Sequence, residues 1–151
     1  MAFLSAMSVV GSGLTAQQLR LDVISENVTN MQTTRTENGE PYRRKMVVFQ
    51  SQDGRDNFRT ALARAAGRSL TPNDDVGGVR VTEIVEDQSD FKQVYDPTHP
   101  DADENGYVMM PNVELVKETV DAMAAQQAYT ANVTVFNALK GMATSALEIG
   151  K

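Results

Sequence analysis

The first 31 residues carry an apolar stripe whose steps alternate between four and three positions, which is the spacing of a coiled-coil seam. A repeat of about 3.5 residues winds helices around one another rather than around a globular core. One helix cannot bury such a seam alone, so the sequence predicts a partner helix. Only one position of the stripe is polar; it consists of Phe3, Met7, Val10, Leu14, Gln17, Leu21, Ile24, Val28 and Met31.

The other end of the chain provides a second long helix, which follows Pro111 and meets no further proline before Ile149. Asn112 is placed to cap this helix, and Glu114 falls in the first turn, where the helix dipole favours a carboxylate. We expect this helix to pair with the first one. Its predicted packing face, rich in small residues, consists of Val113, Val116, Val120, Ala124, Ala128, Ala131, Val135, Leu139, Met142, Ala146 and Ile149.

Between the two helices, short β-prone runs alternate with turn residues such as Asn38-Gly39. Strands are predicted over 42–50, 78–85 and 91–95, and the third is expected to return as the antiparallel partner of the second. Two prolines and three aspartates make residues 96–106 irregular. This part of the chain is therefore expected to form small sheets joined by turns.

The predicted fold class is mainly α with a small β part: long N- and C-terminal helices paired as an antiparallel coiled coil, with a small β-rich middle domain inserted between them. A short helix is also expected over 57–66, followed by a loop over 71–75. The predicted domains are the N-terminal assembly helix over 1–34, the β-rich middle domain over 35–106, and the C-terminal assembly helix over 107–151.

Composition argues against several classes of function. The formal net charge of −6 disfavours nucleic acid and anionic membranes, and the absence of cysteine excludes disulfides and thiolate chemistry. No run approaches the ~18–20 apolar residues of a membrane span, and the N-terminus lacks the basic start of a cleavable secretory signal. The basic run Arg43, Arg44 and Lys45 is interpreted as the solvated face of a strand.

The glycines of the first helix form part of a G-x-G-x-x-A pattern over 11–16. A dinucleotide site needs a buried strand before that pattern, whereas here only ten residues precede it and they continue the helical spacing. Gly11 and Gly13 each cost a helix about 1 kcal/mol relative to alanine. They are better explained by another backbone packing close, or by a segment that stays disordered until it assembles.

The acidic loop Asp101–Gly106 matches the opening D-x-D-x-N-G of an EF-hand calcium loop. Its twelfth position, where a bidentate glutamate is needed, holds Asn112. Weak calcium binding by Asp101, Asp103 and Asn105, in an interaction module, is the alternative function. A turn that leads into the second helix is the favoured interpretation.

His99 is the only histidine and lies close in sequence to aspartates, a setting in which it could act as a general base. No cysteine, second histidine or activated nucleophile accompanies it, so a hydrogen-bonded loop histidine is expected instead. The sequence predicts no catalytic, cofactor-binding or metal-binding residue, and no small-molecule substrate.

Residues 106–113, Gly-Tyr-Val-Met-Met-Pro-Asn-Val, lead into a long helix rich in alanine and valine and resemble the C-terminal signature of bacterial flagellar rod and hook proteins. Residues 94–103 are similar to the proximal rod members of that family. Residues 11–21, followed by Asn27 and Asn30, and the strand over 41–49 resemble the start of the same family. In the second helix Tyr129 and Asn132 match the family pattern, but Gln126 and Gln127 replace its usual Ser-Arg pair.

The resemblance, which covers 1–50 and 78–151, implies a structural protein and no enzyme. Its members form a helical tube outward from the inner-membrane ring, with paired terminal helices around an export channel. The implied partners are copies of itself, other rod proteins, inner-membrane ring and rod-adapter proteins, and the flagellar type III export apparatus. The implied location is the basal body in the periplasm, reached without a cleavable signal peptide.

The assembly interface predicted from the two stripes and from this resemblance belongs to the terminal helices. Ordering both helices costs conformational entropy, so burial against neighbouring subunits must exceed that cost. We therefore expect folding of the termini to be coupled to assembly. The predicted interface residues are Val10, Leu14, Leu21, Ile24, Val28, Val113, Val116, Val120, Ala124, Tyr129, Asn132, Val135, Leu139 and Met142.

Overall fold

The computed structural model describes residues 2–52, 62, 65–67 and 77–149 of the chain. About half of these residues belong to two long helices, and two small sheets lie between the helices in the sequence, which confirms the predicted fold class. The short helix predicted over 57–66 falls mostly outside the described residues, and the loop predicted over 71–75 falls wholly outside them. The elements are α1 (Ala2–Thr29), β1 (Lys45–Ser51), β2 (Val79–Glu86), β3 (Lys92–Tyr95), β4 (Tyr107–Met110) and α2 (Leu115–Ile149).

The strands form two separate two-stranded sheets, in which β1 pairs with β2 and β3 pairs with β4. The prediction that residues 91–95 return onto 78–85 is therefore wrong. In the antiparallel β3–β4 hairpin, Val94 lies opposite Val108, and Val108 is among the most buried side chains of the chain. Val94 and Val108 share one face of the hairpin, and pairing with β4 places the half-buried Val94 beside the buried Val108.

The start of α2 differs from the sequence prediction as well. The helix begins at Leu115, and its first backbone hydrogen bond runs from the Glu118 N–H to the Glu114 carbonyl. Asn112 is not the N-cap, because its side chain reaches other segments instead. Its Oδ1 accepts from the Arg44 backbone N–H at 2.8 Å, and its Nδ2 donates to the Asp87 carbonyl at 2.9 Å. Asn112 thus links the segment that precedes α2 to the residue before β1 and the residue after β2.

The described residues group into two compact units, each of which takes part of both helices. The first comprises Met1–Gln18, Phe49–Thr82 and Gln127–Lys151, and the second comprises Leu19–Val48 and Glu83–Gln126. No helix in the described part of the chain has the length and apolar content needed to cross a membrane.

Within the second unit the helices run antiparallel, as predicted. Arg20 contacts Asp121, whereas Asn27, further along α1, contacts Glu118, which lies earlier in α2. Apolar side chains from the helices and the hairpin form the core of this unit. The buried apolar residues are Val23, Ile24, Tyr42, Val108 and Ala125.

Gly106 ends the loop of the β3–β4 hairpin with a φ of +80°, a conformation that side chains disfavour. A Cβ there would lie 3.0 Å from Tyr95 Cε2 and 3.2 Å from Pro97 Cβ. Gly39 has the same φ of +80°, but a Cβ there would meet nothing within 4 Å. The two glycines form a matched pair that separates backbone strain from steric overlap.

We expect Gly39→Ala to cost about 1–2 kcal/mol of folding free energy, from the left-handed backbone alone. Gly106→Ala is expected to cost more, because the new methyl group also overlaps the hairpin. Urea denaturation of both variants, followed by circular dichroism, measures the difference. Equal losses in the two variants would show that the hairpin absorbs the methyl group without strain.

The two glycines of α1 in the first unit have different surroundings. A Cβ at Gly13 would lie 3.1 Å from Nδ2 of Asn132 in α2, whereas a Cβ at Gly11 would meet nothing within 4 Å. Within the chain, only Gly13 permits a close approach, so the prediction for both glycines holds for one of them. The group that approaches Gly13 is the side chain of Asn132 and not a backbone.

We predict that Gly11→Ala raises stability by up to about 1 kcal/mol, since alanine favours the helix and nothing opposes the methyl group. Gly13→Ala is expected to gain less or to destabilise, because Asn132 must move. Thermal denaturation monitored by helical circular dichroism compares the two variants. An equal rise in melting temperature for both would contradict the close approach at Gly13.

Candidate assembly surface and its buried polar cluster

The second unit encloses a group of polar side chains that water does not reach. Asn27 and Glu118 are fully buried and Arg44 is 6% exposed. A buried charge destabilises a protein unless it is paired and hydrogen-bonded, so each partner matters. We call Asn27, Tyr42, Arg44 and Glu118 the polar cluster.

Arg44 supplies the positive charge of the polar cluster. Its Nε donates to Glu118 Oε1 at 2.5 Å, and its Nη2 donates to Asp121 Oδ2 at 2.9 Å. Its Nη1 lies 3.9 Å from Asp87 Oδ2. Three carboxylates thus surround one guanidinium, whose planar fork suits several acceptors at once. Hydrogen bonds from Ser89 hold the pKa of the Asp87 carboxyl below its ordinary value, and the charge of Arg44 adds to that effect.

Asn27 joins α1 to both other parts of the polar cluster. Its Nδ2 donates to Glu118 Oε2 at 3.0 Å and to the Lys45 carbonyl at 2.9 Å. Its Oδ1 accepts from the Tyr42 hydroxyl at 3.0 Å and from the Lys45 N–H at 2.9 Å. A side-chain amide offers two donors and two acceptor positions, and all four are used here. The amide therefore fixes α1, the start of β1 and α2 at one point.

Burial raises the pKa of the Tyr42 hydroxyl from 10.0 to about 12, and the nearby carboxylates of Glu26, Glu118 and Glu86 act in the same direction. The raised value means that folding favours the protonated phenol. The stability that this contributes is complete below pH 10 and is lost as pH rises from there through about 12.

We predict that the wild-type protein loses more stability than Tyr42→Phe over this alkaline range, because phenylalanine has no proton to lose. Urea denaturation at a series of alkaline pH values, with the difference taken between the two proteins, isolates the contribution of Tyr42 from that of titrating lysines. Parallel stability curves would contradict a buried, hydrogen-bonded phenol.

The interpretation of Arg43, Arg44 and Lys45 as one solvated face is wrong for Arg44. Its neighbours are partly exposed: the Arg43 guanidinium lies 4.2 Å from the centre of the Phe91 ring, and Lys45 pairs with Glu26. Arg44 lies just before β1, in an irregular run in which Tyr42 and Arg44 are buried and Arg43 between them is partly exposed. The sequence contains one indication that these buried residues matter: Asn27, Tyr42 and Arg44 all lie in segments that carry the family resemblance.

Two predicted interface residues of α2, Val116 and Val120, lie on the side of that helix opposite its buried face. Glu118 and Ala125 face inward and are fully buried, whereas Val116 is 70% and Val120 60% exposed. Met123, which the sequence prediction omitted, is 68% exposed and continues the same stripe at helical spacing. We call Val116, Val120 and Met123 the outer face.

The remaining predicted interface residues differ in how far their side chains are buried within the single chain. In α1, Ile24 is buried, and Val10, Leu14, Leu21 and Val28 are half-buried. Toward the C-terminus, Val135 and Met142 stay exposed along with Ala124. The residues of intermediate burial are Val113, Tyr129, Asn132 and Leu139. Their role in an interface between subunits stays a prediction.

The aspartates of the calcium-like loop are held by donors of the chain itself. Asp103 Oδ1 accepts from the backbone N–H groups of Asn105 at 2.9 Å and Tyr107 at 2.8 Å. Asp101 Oδ2 accepts from the Thr34 hydroxyl at 2.8 Å, and His99 Nδ1 accepts from the Asp101 N–H at 3.1 Å. These bonds shape the turn before β4. Among the described residues, no three acidic, histidine or cysteine side chains are grouped to hold a metal ion, so the calcium alternative gains no support.

Two family models match the two ends of the chain. The model described as "Flagella basal body rod protein" matches residues 5–35, and the model described as "Flagellar basal body rod FlgEFG protein C-terminal" matches residues 104–149. The first range contains Asn27, and the second contains Asn112, Glu118 and the outer face. Both matches therefore include residues of the site.

Similar proteins align along nearly the entire chain. Flagellar basal-body rod protein FlgC of Bacillus subtilis is 50% identical over 151 residues, which cover 97% of each chain. The protein of that name from Borreliella burgdorferi is 44% identical, covering 99% of this chain and 98% of its own. The one from Salmonella typhimurium is 38% identical over the full length of both. The similarity thus spans the helices and the middle of the chain alike.

Proposed function

This chain belongs to the FlgC family of flagellar basal-body rod proteins, and from that premise we propose that the outer face of α2 is the surface through which it joins its neighbours. The chain is a structural component of the basal-body rod, in a family that is not one of enzymes. A rod subunit must hold its neighbours on several sides, so part of its apolar surface has to remain uncovered in the single chain.

The observation that carries the proposal is the exposure of three large apolar side chains in a row. Val116, Val120 and Met123 are each at least 60% exposed and follow one stripe of α2. Burying such side chains fully contributes roughly 1.5–3 kcal/mol each. Contiguous exposed apolar surface of this kind is typical of protein–protein contact.

The polar cluster supports this surface from the opposite side of α2. Glu118 lies between Val116 and Val120 in sequence but points inward, where Arg44 and Asn27 hold it. Polar groups buried between helices can specify register, because any shift leaves them without partners. We infer that the cluster fixes the rotation of α2 so that the outer face meets the neighbouring subunit.

The neighbours proposed for this surface are copies of the chain and other rod proteins of the proximal rod. Inner-membrane ring and rod-adapter proteins are proposed partners at the base, in the periplasmic part of the basal body. Export in an unfolded state through the flagellar type III apparatus is proposed as the route. Folding of the terminal helices would then be completed as the subunit docks.

Electron microscopy of cell envelopes from a strain lacking the gene tests the proposal. We expect inner-membrane rings without rods, hooks or filaments, and full recovery when the wild-type gene is returned. Complete flagella in the deletion strain would contradict a required role in the rod.

A further inference from the structure

The second unit contains an open groove of about 550 Å³ between the segment that follows α1 and the β3–β4 hairpin. Phe91, Tyr107 and Met109 line it from the hairpin, and Tyr107 and Met109 are 41% and 50% exposed. Pro41 and Pro100 add apolar surface at its walls. We call this space the hairpin groove.

The floor of the hairpin groove has the composition of a protein-binding surface. Aromatic residues and methionine are enriched where proteins meet: aromatic rings bury a large rigid area, and the flexible methionine side chain adapts to irregular partners. The hairpin is also well supported: the Tyr95 and Tyr107 rings pack edge to face at 5.2 Å, and Val108 anchors its inner side. A docked segment would therefore meet a preformed surface.

The rim of the groove is acidic. Glu40, Asp101 and Asp103 line it against one cation, Arg35, which leaves three carboxylates to one guanidinium. Among the described residues, none donates a hydrogen bond to the Glu40 carboxylate or forms an ion pair with it. An occupant that brings positive charge between apolar side chains would complement this lining.

The sequence itself contains a segment of that chemistry. Four of the chain's 14 basic residues lie at positions 55, 59, 64 and 68, interspersed with Phe58 and Leu62. Several of the other basic residues already have partners, since Arg20, Arg44 and Lys45 each form an ion pair with an acidic side chain. The segment 55–68 contains one acidic residue, Asp56, and therefore carries a formal charge of +3, from four arginines and one aspartate.

We propose that the hairpin groove receives the arginine-rich segment 55–68 of a second copy of this chain. The proposal rests on the proposed function, because it requires copies to lie side by side in the rod. The apolar side chains of the segment pack on Met109 and Tyr107, and its guanidinium groups meet the carboxylates of the rim. The groove and the outer face are then two separate contacts between subunits.

Photo-crosslinking in cells tests this directly. A photoreactive phenylalanine analogue replaces Met109, rods are isolated, and the product is identified by mass spectrometry after irradiation. We expect a product of about 33 kDa, twice the 16.5 kDa of one copy, joined through residues 55–68. A product with another protein, with another segment, or within one copy would overturn the proposal, as would the absence of a product from rods that contain the variant.

Charge reversal tests the electrostatic part. Glu40→Arg is expected to lower the crosslinked yield by up to about fivefold, the range of one exposed ion pair, and Arg59→Glu in the neighbouring copy should restore part of it. Glu104→Arg, an exposed reversal outside the lining, is the matched control and should leave the yield unchanged. Equal yields from Glu40→Arg and Glu104→Arg would contradict a charge-guided contact.

Two observations distinguish an error in the groove proposal from an error in the proposed function: the crosslinked product and the presence of the protein in rods. If rods assemble and contain the photoreactive variant but yield no product through residues 55–68, the groove proposal is wrong and the rod assignment stands. If the wild-type protein is absent from rods that form normally, the proposed function itself is wrong.

Discussion

Glu118→Leu is expected to remove about 3–5 kcal/mol of folding free energy, one of the two largest effects that the structure predicts. The carboxylate is fully buried, and its loss leaves Arg44, itself only 6% exposed, without its closest acceptor. Asn27 loses the acceptor of one of its donors at the same point. Urea denaturation of the purified chain, compared with the wild type, measures the loss.

The double variant Arg44→Met, Glu118→Leu separates two contributions to stability: the cost of burying Arg44 without a partner, and the net stabilisation by the ion pair. Replacing both members of a buried ion pair by apolar residues of similar volume often restores most of the stability. We therefore expect the double variant to have a clearly larger free energy of unfolding than Glu118→Leu. The control is Glu26→Gln, which breaks the partly exposed pair with Lys45 and should cost at most about 1 kcal/mol. A Glu118→Leu variant no less stable than this control would contradict a buried, paired cluster.

Val120→Asp is expected to abolish incorporation into the rod while leaving the single chain folded. Val120 is 60% exposed, so an aspartate there meets water in the free subunit. In the proposed interface the same carboxylate would be buried without a partner, at a cost of several kcal/mol. The measurements are motility and the amount of the variant in isolated basal bodies, together with circular dichroism of the purified chain.

Gln88→Glu is the control for this prediction. It adds the same charge at an exposed position outside α2, whereas Thr119 would not serve because it lies three residues from Val116 and four from Met123. We expect Gln88→Glu to be incorporated. Leu21→Asp is also expected to prevent assembly, but Leu21 is half-buried within the chain and its substitution disturbs folding as well. Wild-type incorporation of Val120→Asp would remove the outer face from the assembly surface.

The lengths and locations of the two helices were predictable because periodicity and proline placement act locally. The 3.5-residue stripe of α1 and the absence of proline after Pro111 were sufficient for that. The rotation of α2 was not predictable in the same way. Its apolar residues occupy more than one side, so periodicity predicts a packing face that includes Val116 and Val120, whereas the single chain leaves these two exposed and buries Glu118 and Ala125.

The polar cluster could not be predicted from the sequence, because its members are far apart in the chain. Glu118 is separated from Asn27 by 91 residues and from Arg44 by 74. An arginine in a basic run, and a glutamate early in a helix, are ordinary on a solvated surface. Their burial follows only from tertiary packing, as does the pairing of β3 with β4 in place of β2.

The most direct test of the central claim is an electron cryo-microscopy structure of the isolated rod at a resolution that shows side chains. We expect Val116, Val120 and Met123 to be buried against a neighbouring subunit, with Glu118 still held by Arg44 and Asn27 on the opposite side of α2. Outer-face side chains that remain in contact with solvent in the assembled rod would contradict it.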